Sequence, residues 1–172
     1  MIDWDKRYMK YAICFFPLVG SIIGLIIFSF WKIQSFLNIG VLFRSVIILL
    51  IPILVTGGIH LDGFMDTMDA INSYQSKEKK LEILSDPHLG AFSVITFIVY
   101  ILLMLAFLTE INNIDYIITL CFTYTLSRGL SGYAATTLKN AKSEGLLYAF
   151  TSDLDAKKAK IILIFFIIAP IV

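Results

Sequence analysis

Charge is what this sequence has least of. Only 16% of its 172 residues are Asp, Glu, Lys or Arg, against about a quarter in ordinary soluble domains. The net charge is +1, and no basic cluster interleaves with aromatic residues, so nothing here points to nucleic acid. Cysteine is scarce too. Cys14 and Cys121 each sit in an apolar run, with neither metal-type spacing nor a disulfide framework, and both read as packing residues. No repeat, low-complexity segment or linker interrupts the chain, so one domain is expected over residues 1–172. The first apolar run is too long for a signal-peptide core, and no small-residue cleavage site follows it.

Apolar residues fill the space that charge leaves. They make up 58% of the chain, and the mean hydropathy is +0.84. The expected class is an all-α, polytopic integral membrane bundle. Residues 11–31 carry no charge and, at 1.5 Å per residue, extend roughly 32 Å, enough for a hydrocarbon core of about 30 Å. Pro17, Gly20 and Gly24 lie inside this run, where close helix packing tolerates them. Residues 36–55 predict a second span broken by Arg44, residues 91–108 a third, and residues 115–126 a shorter fourth. Arg44 is expected to snorkel or to pair within the bundle. Residues 161–172 are apolar but too few to cross, so the chain is expected to stop within a fifth span.

The basic residues give an orientation. Twelve of the fourteen Lys and Arg fall before the first span, between the second and third, or after the fourth. Basic loops stay in the cytoplasm. The N-terminus and the loops 56–90 and 127–160 are therefore expected on the cytoplasmic side of the cell membrane. Lipid is the surrounding partner, and a homo-oligomer is left open.

Polar chemistry concentrates in "TGGIHLDGFMDTMDA", residues 56–70. Asp62, Asp66 and Asp69 stand at i, i+4 and i+7, within an arc of roughly 60° on a helix. No Lys or Arg occurs between Arg44 and Lys77 to neutralise them. Like charges so spaced repel. Either Asp62 is a helix N-cap with the others on a solvated face, or burial protonates one carboxylate, or a divalent cation holds them. The cation is preferred, because acids at a membrane face usually carry function. Mg²⁺ is typically held by one or two carboxylates together with substrate phosphates. Gly57, Gly58 and Gly63 suit close backbone approach to a phosphate, although helix packing would explain them equally well. His60 would face away from the acids on a continuous helix and join them only if the helix began after it.

Two further patches are polar. In "LEILSDPHLGAF", residues 81–92, Asp86 precedes Pro87, so the helix should end there and leave Asp86 on a turn beside His88 and Gly90. The plain alternative is a surface helix ending in an Asp-Pro turn. Arg128 follows the fourth run, where it is either an interface anchor or a phosphate grip. Lys142 and Glu144 also read as a solvated loop pair. A cation transporter would hold its carboxylates at mid-membrane within spans, whereas these follow a full span. A CDP-alcohol phosphotransferase would pair D-x-x-D-G with a following A-R, which is missing. The residues by themselves reach metal-dependent, phosphate-handling chemistry on the cytoplasmic face.

The ordered blocks resemble a known family, the cobalamin synthases, which are adenosylcobinamide-GDP ribazoletransferases. "FFPLVG" at 15–20 is similar to its first-span block. "TGGIHLDGFMDTMDA" resembles its T-G-G-x-H-L-D-G-x-x-D-T-x-D-G signature, and "LEILSDPHLGAF" its L-E-I-M-x-D-S-x-x-G block. "SRG" at 127–129 and "AKSEGLLYAF" at 141–150 resemble two later blocks. Ala70 and Lys142 stand where the family usually has Gly and Arg. The family's Gly-rich C-terminal segment is expected to be missing.

The resemblance implies a transferase. A hydroxyl of α-ribazole, or of its 5′-phosphate, attacks the cobinamide-bearing phosphate of adenosylcobinamide-GDP. GMP leaves, and adenosylcobalamin or its phosphate forms. It implies Mg²⁺ on Asp62, Asp66 and Asp69, with Asp86 as a further ligand or general base and His60 positioning the nucleophile. Gly57, Gly58, Gly63, Arg128 and Lys142 are implied on the substrate.

Overall fold

The computed structural model describes residues 11–140, 146–152 and 154–168. Among these there is no strand. After a 3₁₀ turn at Ile13–Phe15 come α1 (Phe16–Gln34), α2 (Val41–Thr56), α3 (Ile59–Asn72), α4 (Lys77–Ile83) and α5 (Ala91–Glu110). Then follow α6 (Ile114–Thr137), α7 (Leu146–Thr151) and α8 (Ala156–Ile168). The described residues group into two compact units, one of Met1–Trp31 with Asn113–Val172 and one of Lys32–Asn112.

In the first unit, small residues set the packing. A Cβ on Gly20 would strike the Tyr124 carbonyl, and one on Gly24 would lie 2.9 Å from the Cys121 carbonyl oxygen. The backbones of α1 and α6 therefore meet directly, and the Ser21 and Thr125 hydroxyls bond across at 3.0 Å. On α6, Gly132 gives way to Leu163 and Gly129 to Ile167, both on α8. These glycines next to Arg128 serve helix packing. Cys14 is buried with Ile13 and Ala159, as a packing residue should be.

The second unit holds the acidic helix. α2 and α3 both pack on α5, with the Phe64 ring 5.4 Å from that of Tyr100. Arg44 Nη2 donates to the Ile111 carbonyl at 2.7 Å, where α5 ends. A cation there meets the negative end of the helix dipole.

Three expected spans change. The second begins at Val41, because residues 35–40 are turn and extended chain, so Arg44 lies in the first turn of α2 and not mid-span. The fourth run becomes a 24-residue helix that continues past Arg128, and its Thr, Ser and Tyr content leaves it less apolar than α1 and α5. The fifth run starts five residues early, at Ala156. Two helical segments, Ile13–Gln34 and Ala91–Glu110, are long and apolar enough to cross a membrane. Val41–Thr56 with Ile59–Asn72 makes a third if that bent pair counts as one span. Only 11% of the most apolar stretch of α5 is buried by the described residues, which leaves a long apolar face uncovered.

Candidate active site

The acidic helix is delivered by a corner that only glycine makes cheaply. Gly57 and Gly58 have φ of 63° and 78°, both left-handed. The Gly58 N–H reaches back 2.9 Å to the Ile53 carbonyl and closes α2. The Gly58 carbonyl then accepts from Leu61 and Asp62 N–H and opens α3. The chain bends by 91° between the two helices. α3 thus leaves the line of α2 and carries its carboxylates with it.

On α3, Asp62 is exposed and Asp66 half-buried. Partial burial, followed by the charges of Asp62 and Asp69, pushes the Asp66 carboxyl above its ordinary range. Gly63 sits beside them with open space where a Cβ would be, and the Thr67 hydroxyl bonds the Gly63 carbonyl at 2.7 Å. A helix-interior glycine costs about 1 kcal/mol against alanine. What it leaves here is bare backbone next to two carboxylates.

Asp69 is engaged differently. Its Oδ2 accepts from Gly90 N–H at 2.5 Å and its Oδ1 from Ser93 N–H at 2.9 Å. Gly90 is the N-cap of α5 and has no side chain to satisfy these donors itself. A carboxylate from another helix takes the capping role. Among the described residues, no three His, Cys, Asp or Glu side chains converge as a metal site. Of the acidic triplet expected from spacing, Asp69 is the member with both oxygens engaged by backbone N–H groups.

Asp86 lies on the expected turn. Its Oδ1 accepts from the His88 N–H at 3.0 Å and meets His88 Nδ1 at 2.6 Å. The His88 backbone N–H, then its ring, hold the Asp86 carboxyl below the ordinary range. His60 is exposed and lies inside α3, which begins at Ile59. It is two residues before Asp62, about 200° around the helix, so the structure turns it away from the stripe. Arg128, on α6 of the first unit, is half-buried, with Nη2 3.4 Å from the Ser127 hydroxyl. Lys142 lies outside the described residues. Spacing missed the Asp69 cap, and it set Asp86 beside His88 without the two bonds that join them. The available signals were a helix starting at a glycine and an Asp two residues before a His.

Fold and site together define an all-α integral membrane protein that presents acids on a helix just past a glycine corner. Within that class the chain belongs to the cobalamin-5-phosphate synthase family, whose description matches residues 1–172. An adenosylcobinamide-GDP ribazoletransferase of Lachnoclostridium phytofermentans is 42% identical over 172 residues, 100% of this chain and 66% of the relative. Proteins of the same name from Clostridium botulinum (strain Eklund 17B) and Geobacillus sp. are 38% and 31% identical, each over 95% of this chain. The chain covers 65% of the former and 63% of the latter, so it spans about two thirds of the length of these relatives. No solved structure matches it.

Proposed function

We propose that the protein acts in the transfer that joins α-ribazole, or its 5′-phosphate, to adenosylcobinamide-GDP with release of GMP. The observation that carries this reading is the family match over the whole chain, with Asp62 and Asp66 one turn apart on the helix that bears its signature block. The active face is placed on the cytoplasmic side of the cell membrane, following the basic loops.

The donor set fits Mg²⁺. Two carboxylates one turn apart, without Lys or Arg between Arg44 and Lys77, gain from a hard cation, and substrate phosphates would complete its shell. When bound, Mg²⁺ neutralises charge on the phosphate oxygens and on leaving GMP. The chain's own groups do the rest. Asp62 and Asp66 fix where the diphosphate sits, and the bare backbone at Gly63 lets it approach. Asp86, held low, is better suited to orient His88 than to take a proton itself. With Nδ1 hydrogen-bonded to Asp86, His88 would offer Nε2 to the hydroxyl proton.

The test is GMP release. Membranes carrying the protein, given adenosylcobinamide-GDP, α-ribazole and Mg²⁺, should liberate GMP, and Asp66→Asn should lower the rate by about a hundredfold or more. Failure of the wild-type protein to release GMP would overturn the reaction. Unchanged activity in Asp66→Asn would overturn the metal role.

A further inference from the structure

Among the three aspartates of the stripe, the structure assigns Asp69 a different task. We propose that Asp69 is a positioning residue: it clamps the acid-bearing α3 to the N-terminus of α5, and metal binding falls to Asp62 and Asp66 alone. The inference rests on the function proposed above, because it divides labour within that site.

The geometry is specific. Both Asp69 oxygens accept backbone N–H groups, from Gly90 and Ser93. The two donors belong to the N-cap and third residue of a 20-residue helix, where N–H groups lack intrahelical partners. The carboxylate charge also meets the positive end of that helix dipole. Ser93 is buried, and its hydroxyl bonds the Gly90 carbonyl at 2.7 Å, which ties off the same turn. A Cβ on Gly90 would occupy the place of the Asp69 carboxylate itself. Gly90 is therefore glycine so that a carboxylate from α3 can enter where an N-cap side chain would stand. Asp69 lies one turn from Asp66 on α3, so the clamp fixes the rotation of the helix about its axis. That rotation sets where Asp62 and Asp66 point.

Two measurements test this. The first is thermal melting without metal for Asp69→Ala, Gly90→Ala and the double variant. Gly90 offers no ligand atom, yet both single variants should melt earlier by a similar amount, and the double should lose little more than either. Unchanged melting in Asp69→Ala, or additive losses in the double variant, would overturn the clamp. The second is Mn²⁺ affinity. Asparagine retains a capping oxygen, so Asp69→Asn should stay within about threefold of wild type while Asp66→Asn falls by about tenfold or more. Equal loss in the two Asn variants would make Asp69 a ligand and overturn the division of labour. If the wild-type protein binds no Mn²⁺, the metal reading of the site fails, and the melting series still decides the clamp.

Discussion

Asp66 is the residue on which stability and function pull apart. It repels Asp62 at i,i+4 and Asp69 at i,i+3, and two such pairs on a helix cost about 0.5–1 kcal/mol together. Without metal, Asp66→Asn should therefore melt higher than wild type by about that amount, even though the proposed site would lose a ligand. The sign with pH follows from a carboxyl raised in the folded state. Its penalty is full above the raised value and vanishes below the unfolded value of about 3.9. The advantage of the Asn variant should fade as pH falls through that window, measured by melts across pH in detergent. A variant that melts lower at neutral pH would show that Asp66 already has a cationic partner in the chain. The stripe itself was legible, since its spacing and its distance from any Lys or Arg are written in the sequence. The fate of Asp69 was not. Its donors are backbone groups 21 and 24 residues away, and backbone carries no sequence signal.

Elements were legible where hydropathy runs unbroken. Residues 11–31 and 91–108 were placed within a few residues, because a long uncharged run has one stable form in lipid. α6 was underestimated because its second half mixes Thr, Ser, Gly and Tyr, and what holds it is contact with Leu163 and Ile167, which hydropathy cannot see. The corner between α2 and α3 was read as glycines near a ligand, but its first task is conformational. Gly57→Ala forces an L-residue into the left-handed region at about 1–2 kcal/mol, although its Cβ would meet nothing within 4 Å. That variant should melt measurably earlier, and Gly57→Asn should lose less, since Asn tolerates the region better. Equal, negligible effects would mean that the corner is not what positions α3.

At the scale of the molecule, membrane residence follows from surface. Ile95, Ile98, Val99, Leu102, Leu103 and Phe107 all face outward on α5. The proposed orientation makes a direct prediction for a chain with Cys14 and Cys121 replaced. A cysteine at the exposed Ser35 should react with an impermeant maleimide on intact spheroplasts, and one at the exposed Gln75 only after lysis. The reverse pattern would move the acidic helix to the outer face. The 91° change of direction at Gly57–Gly58 is also a matter of handedness. Every other residue type the ribosome supplies is built for the opposite hand at those two positions. A D-alanine introduced there by semisynthesis should fit where L-alanine strains. The chain carries its carboxylates out of the line of α2 through the one amino acid that has no mirror image.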